Sequence, residues 1–367
     1  MATLFSFNIH ADEIQNLISA NNQLAFSLYH NINSSNCFFS PYSIETCFSL
    51  LYYGAQGSTK EEMKKALFFD IDKDKNLNDL QKIYSKECTI ANCIWIDNLL
   101  NINPNYLKNM NNMDVELKKV SFFSPNIVQE INTWTSEKTA HKINNILSSA
   151  DVDPYTKMVL VNTIYLKRAW SIPFNPMLTK DDLFYLTPTE TKTMPMMQHT
   201  GGYAYFADEN MQIVALPLKS DTMRLAMVMF LPKKNNLNEI FTLENFNHWT
   251  NELKYEKIII IMPKFKMQNK YDLNPLMNMP ISFSYNANFT GICDETLLYI
   301  NKAIHQSYLN VDENGVEATA ATAISMNATC CAEVELPIYF TANHPFAFTI
   351  MDMENKTILF MGTFDGK

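Results

Sequence analysis

The side chains best suited to nucleophilic, acid–base or metal chemistry in this chain of 367 residues are seven histidines and seven cysteines. None of His10, His30, His141, His199, His248, His305 and His344 lies at helical spacing from another histidine or from a cysteine, so no ligand pair or Cys–His couple is prearranged. The sequence holds no GxSxG elbow, P-loop, GxGxxG turn, HExxH helix or EF-hand loop. Cys330 and Cys331 are adjacent, which disfavours a bridge between them, and no basic neighbour lowers their pKa, so they read as exposed bystanders. His305, inside the strand-like run KAIHQSYL, reads as a hydrogen-bonded core histidine rather than a general base. These residues predict no enzyme, no metal site and no cofactor.

The sharpest feature is the run VDENGVEATAATAISMNATCCAEVELP, residues 311–337. It carries no positive charge, and after Gly315 neither glycine nor proline appears for 21 residues, so it lacks a turn signal. Val316, Ala318, Ala320, Thr322, Ile324 and Met326 form one face of an extended chain, apolar or small throughout, while Glu317 lies on the other. An edge strand with one side against a core fits this alternation; alanine propensity alone favours a helix. The small residues crowd the front of the segment, where parting two existing strands to admit a third would cost least.

The elements that must position this segment fall into two groups. Residues 12–29 carry apolar positions near helical spacing, which predicts either two turns' worth of drift in the apolar stripe or a bend around Asn21 and Asn22. Ser40-Pro41 supplies an N-cap and a proline at the first helical position, and the nearly all-apolar run that follows stops at Gly54, which predicts a helix covered on every side. Residues 58–62, STKEE, offer overlapping capping boxes for a third helix. From about residue 158 the pattern changes to β-branched and aromatic runs of strand length at 158–167, 222–231, 257–264, 346–351 and 357–361. The expectation is an α+β fold with a large, mostly antiparallel sheet in a single domain spanning 1–367, since no repeat or linker divides the chain.

Composition narrows the partners. The net charge of −9 and the lack of any dense Lys/Arg run argue against nucleic acid, and no apolar stretch is long enough to cross a bilayer as a helix. The N-terminus lacks a basic leader, and seven cysteines without CxxC spacing predict a reduced, cytoplasmic setting. Only eight glycines occur, so each is expected where the backbone excludes a side chain.

The chain resembles the serpin family along nearly its whole length. Asn36-Cys37-Phe38-Phe39-Ser40-Pro41-Tyr42-Ser43-Ile44 is similar to the family's N-x-F-x-S-P-x-S-I, followed by Tyr53-Gly54-Ala55-Gln56-Gly57. Leu160-Val161-Asn162-Thr163-Ile164-Tyr165-Leu166-Lys167, Trp170, Met262-Pro263-Lys264-Phe265, Phe289-Thr290-Gly291-Ile292 and Ala342-Asn343-His344-Pro345-Phe346 follow in family order. Two local departures are His141, where the family places glycine, and Asn301, where histidine is common.

The resemblance implies a serpin fold of three sheets and about nine helices with an exposed reactive loop at about 313–337. It implies a hinge formed by Glu313, Gly315, Val316, Glu317, Ala318, Thr319, Ala320, Ala321 and Thr322. Val316 departs mildly from the usual Thr or Ser but stays β-branched and uncharged. Family spacing puts the reactive bond at Thr329-Cys330, with Met326-Asn327 as the rival. Ser40, Ser43, Asn162, His305 and Trp170 match the residues over which the central sheet opens. The implied activity is suicide-substrate inhibition of an elastase-like or chymotrypsin-like serine protease by a monomer, through a covalent 1:1 complex. The alternatives are a cysteine-protease target and a non-inhibitory binding, chaperone or storage role. Release by a signal-independent route is compatible with the cytoplasmic expectation.

Overall fold

A computed structural model of the chain describes residues 2–69, 84, 88–110, 115–234, 237–294, 298–317 and 337–367. Helix α1 (Ala2–Ile32) is followed by β1 (Cys37–Phe39), α2 (Pro41–Gly54) and α3 (Gly57–Ala66). Next come β2 (Thr89–Asp97), α4 (Pro104–Met110), β3 (Glu116–Val120), α5 (Ile127–Lys138), β4 (Met158–Tyr165) and β5 (Arg168–Ala169). The middle of the chain forms β6 (Lys180–Tyr185), β7 (Thr191–Ala207), β8 (Met211–Pro217), β9 (Leu225–Pro232), α6 (Leu237–Ile240) and α7 (Leu243–Asn251). It ends with β10 (Lys254–Pro263), β11 (Phe265–Asp272), α8 (Asn274–Met277), β12 (Lys302–Asp312), β13 (Gly315–Val316), β14 (Ile338–Thr341), β15 (Phe346–Asp352) and β16 (Thr357–Phe364).

The strands assemble into a nine-stranded and a seven-stranded sheet. The first is joined end to end by β7, whose 17 residues pair with β6, β8 and β10 along successive stretches. The second has the order β3-β2-β4-β12, with β11 on the far side of β12 and the two-residue β13 between β12 and β5. Most pairs are antiparallel, but β4 and β12 run parallel from Val159–Lys302 to Tyr165–Tyr308, as do β2 and β3.

Helix α2 begins as the sequence predicts: Ser40 Oγ accepts from the Ser43 amide at 3.1 Å, and Pro41 opens the first turn. Thirteen of its 14 residues are buried between the two sheets and α1. Two expectations are corrected. The predicted bend at Asn21-Asn22 is absent from α1, which runs unbroken: both side chains are buried and their Nδ2 groups donate to the carbonyls of Ile358 and Lys356 at 2.9 and 2.7 Å, while Asn21 Oδ1 is left without a partner among the described residues. The capping boxes at 58–62 are not used: α3 has Gln56 at its N-cap, two to three residues before Ser58 and Thr59, while Thr59 Oγ1 and the Glu62 carboxylate accept from the amides of Asn288, Ile281 and Ser282. Long-range partners outcompeted the local ones.

A hydrophobic cluster fills the space between α5 and the outer face of the seven-stranded sheet, with Trp95, Trp134, Ile131, Val159, Val161, Ile304 and Tyr308 among its members.

Candidate functional site: a strand entry point above a buried polar cluster

Where β4 gives way to β5, the seven-stranded sheet splits. Below, β4 and β12 pair directly across seven positions; above, β5 and the end of β12 stand apart with β13 between them. Val316 pairs with Val311 on one side and Arg168 on the other, and Gly315 with Asp312 and Ala169. The chain reaches this slot through a tight turn closed by the Asn314 amide donating to Asp312 Oδ1 at 2.8 Å.

Trp170 anchors the turn: its Nε1 donates to the Asp312 carbonyl at 2.8 Å and its amide to the Asn314 carbonyl at 2.9 Å. Glu313 is nearly buried and holds Lys264 at 2.8 Å and the Thr179 hydroxyl at 2.8 Å. Burial raises its carboxyl pKa, but the Lys264 and Thr179 bonds outweigh burial and the net shift is downward, so Glu313 stays ionised.

Val316 is fully buried in the cluster that also holds Trp170, Phe174, Leu309 and Val311. Glu317 projects to the other face, as the alternation predicts. Its amide donates to the Asn310 carbonyl at 2.8 Å, its φ of +50° turns the chain out of the sheet, and its carboxylate pairs with Lys142. Burial and the Glu317 carboxylate together push the Tyr165 hydroxyl up to about 12. The hinge positions Ala318, Thr319, Ala320, Ala321 and Thr322, and the reactive-bond candidates Met326, Asn327, Thr329 and Cys330, lie outside the described residues.

Beneath the closed part of the sheet, four sequence-predicted residues meet. The Ser40 amide donates to His305 Nε2 at 3.2 Å, which makes Nε2 an acceptor and leaves Nδ1–H to donate to Asn162 Oδ1. Asn162 Nδ2 in turn faces the Ser43 carbonyl at 2.9 Å, the Ser43 hydroxyl at 2.7 Å and Asn92 Oδ1. Ser40 Oγ donates to the Leu359 carbonyl at 2.6 Å, tying the cluster to β16. Burial lowers the His305 pKa to about 3, so the ring is neutral and serves as a fixed donor–acceptor bridge. Trp170 does not belong to this cluster; it stands with the hinge turn.

Asn92, on β2, was not singled out in the sequence. Its Nδ2 has no acceptor among the described residues, so the cluster is one hydrogen bond short of complete. Lys142 was also missed, because its partner is 175 positions away. The two departures from family pattern have local explanations. His141 takes the left-handed conformation (φ +61°) that glycine adopts most easily, and Asn301 Oδ1 accepts from the Lys157 and Met158 amides at the start of β4.

These features define a protein whose seven-stranded sheet holds the two-residue β13 between β5 and the end of β12, above a buried polar cluster. The family model described as Serpin (serine protease inhibitor) matches residues 19–365, and the chain belongs to that family. It is 33% identical over 380 residues to the leukocyte elastase inhibitor of Xenopus laevis, covering 96% of this chain and 99% of the relative. It is 33% identical over 377 residues to Serpin B8 of Homo sapiens, with the same coverage. Its fold matches the crystal structure of Serpin48, a highly specific serpin of the insect Tenebrio molitor, with a TM-score of 0.86 at 24% identity over 96% of this chain and 98% of that one. Among the described residues no group of His, Cys, Asp or Glu is arranged to hold a metal ion, and no helix is long and apolar enough to cross a membrane.

Proposed function

We propose that this serpin inhibits serine proteases of elastase-like or chymotrypsin-like specificity as a suicide substrate. The protease attacks its reactive loop at Thr329-Cys330, with Met326-Asn327 the rival bond, and forms an acyl-enzyme. The freed strand then enters between β4 and β12 and carries the tethered protease with it. Distortion of the protease's oxyanion hole and triad prevents deacylation.

One observation carries this reading: Gly315 and Val316 already occupy the slot between β5 and β12, with Val316 buried and the hinge anchored by Glu313 and Trp170, while β4 and β12 below remain paired to each other. That is a strand stopped at its first two residues. Completing it adds about ten ladder hydrogen bonds and buries a small apolar face, on the order of 10 to 20 kcal/mol in total. The similarity to a leukocyte elastase inhibitor supports the protease class. Four cysteines, Cys37, Cys47, Cys93 and Cys293, are buried as free thiols, which supports a reducing, cytoplasmic setting.

The test is incubation of the full chain with an elastase and a chymotrypsin, followed by denaturing electrophoresis and N-terminal sequencing of the released fragment. A denaturant-resistant 1:1 band and a new terminus at Cys330 or Asn327 are expected. Cleavage without a covalent band, and without a gain in heat stability, would assign the protein to the non-inhibitory binding role instead. A band formed only with a cysteine protease would move the target to that class.

A further inference from the structure

Asn314 and Gly315 form the only Asn-Gly pair in the chain, and it stands in the turn that leads into the slot. The slot dictates the glycine, because the backbone of Arg168 and Ala169 leaves no room for a side chain there. Asn314 is half-buried. Asp312 Oδ1 and the Trp170 amide hold its backbone amide and carbonyl, whereas no hydrogen bond among the described residues holds its side-chain amide.

This pair carries its own chemistry. A glycine after asparagine sets no β-carbon in the path of ring closure. Gly315 N loses its proton to hydroxide and attacks Asn314 Cγ; the Cγ–Nδ2 bond breaks, ammonia leaves, and a succinimide ring remains. Water then opens the ring. Breaking the bond from Cγ to Gly315 N gives aspartate, and breaking the bond from the former backbone carbonyl carbon gives isoaspartate, whose main chain runs through Cβ and Cγ. In sum an amide and water become a carboxylate and ammonium, with no change of oxidation state.

Gly315 is paired with Asp312 on one side and Ala169 on the other, so the ring closes only while β13 is out of the slot. A strand of two residues has few ladder bonds to break and opens locally more readily than β4 or β12. The product does not fit back. Isoaspartate lengthens by one backbone atom the turn between Asp312 and Gly315, whose length fixes the register of β13. The carbonyl that accepts from the Trp170 amide at 2.9 Å leaves the main chain as a free carboxylate. Either product also puts a carboxylate directly after those of Asp312 and Glu313, and like charges repel.

We propose that Asn314-Gly315 is a spontaneous deamidation site, gated by the opening of β13, whose product keeps β13 out of the slot. The chemistry and the lost strand pairing stand without the protease reading; only a loss of protease trapping rests on it.

The experiment ages the full chain in warm, mildly alkaline buffer and maps it by peptide mass spectrometry and isoaspartyl methyltransferase labelling. A gain of about 1 Da with methyl labelling is expected at residue 314. Asn355, also half-buried in a turn but followed by lysine, is expected to react about tenfold more slowly or less. The modified fraction is expected to show a lowered denaturation midpoint. Asn314→Gln, whose longer side chain would have to close a larger ring, is expected to keep its mass at that position and its midpoint through the same treatment. Modification at Asn314 no faster than at Asn355, a modified fraction with an unchanged midpoint, or an equal fall in the midpoint of aged Asn314→Gln would each overturn the proposal. A modified fraction with a lowered midpoint that still traps protease one-to-one would support the site and count against the hinge's part in inhibition.

Discussion

Gly315 lies so close to Arg168 that a β-carbon on it would stand 2.3 Å from the Arg168 carbonyl oxygen, and 2.6 Å from the Ala169 Cα. Its φ of +151° is also one that other residues rarely adopt. Backbone on one strand therefore dictates the residue on the next: only glycine lets β13 approach β5. Gly315→Ala is expected to push the entering strand out and to destabilise the hinge by about 1–3 kcal/mol. The check is the denaturation midpoint of the uncleaved protein; an unchanged midpoint would show that β13 is not held in the slot.

Val316 is the first side chain to enter the core, and it meets Trp170, Leu309 and Val311 in one apolar cluster. Val316→Arg introduces a charge with no partner there, which costs several kcal/mol if the strand is to stay in. The variant is expected to be cleaved as an ordinary substrate, with the stoichiometry of protease trapping rising far above one. Full trapping at one-to-one stoichiometry would refute the hinge argument.

Asn162 is the hub of the polar cluster, linking Ser43, Asn92 and His305. Asn162→Ala leaves the His305 Nδ1–H, the Ser43 hydroxyl and the Asn92 carbonyl to find other partners in a dry site. A loss of about 3 kcal/mol or more is expected in urea unfolding. A loss below about 1 kcal/mol would mean that the cluster is solvated or rearranges freely.

Glu45 and His305 give opposing pH dependences. His305 is neutral in the folded state with a pKa of about 3, so its stabilising contribution is present above the unfolded value of 6.5 and is lost as pH falls from 6.5 toward 3. Glu45 on α2 is fully buried, its Oε2 has no partner among the described residues, and burial raises its pKa to about 8. Its contribution is therefore present below the unfolded value of 4.5 and is lost as pH rises from 4.5 toward 8. Between 4.5 and 6.5 the two slopes cancel, and stability measured by urea unfolding is expected to be nearly flat. Glu45→Gln removes one slope, so the variant is expected to lose about 2 kcal/mol between pH 6.5 and pH 5. A flat profile in that variant would show that His305 does not titrate as its burial implies.

The local signals were legible where one stretch of chain carried the whole cause. Ser40-Pro41 marked the start of α2, and its lack of a polar face foretold burial on every side, which Glu45 obeys despite its charge. Alternation after Gly315 put Val316 inward and Glu317 outward, as the structure shows. Local patterns misled where a distant partner intervened: Asn21 and Asn22 suggested a bend and instead bind β16 and the turn before it, and the 58–62 capping signal was drawn off to residues 281–288.

By itself the sequence determined the α+β class, the family and the segment that matters, because periodicity, caps and ordered motifs are properties of consecutive residues. Only the tertiary structure decided that β4 and β12 are closed while β5 and β12 admit two residues, that Lys142 meets Glu317, and that Trp95 is left without an acceptor. Each of these depends on the register of strands or on contacts between residues far apart in the chain, and no local pattern encodes which donor will be left over once packing is complete.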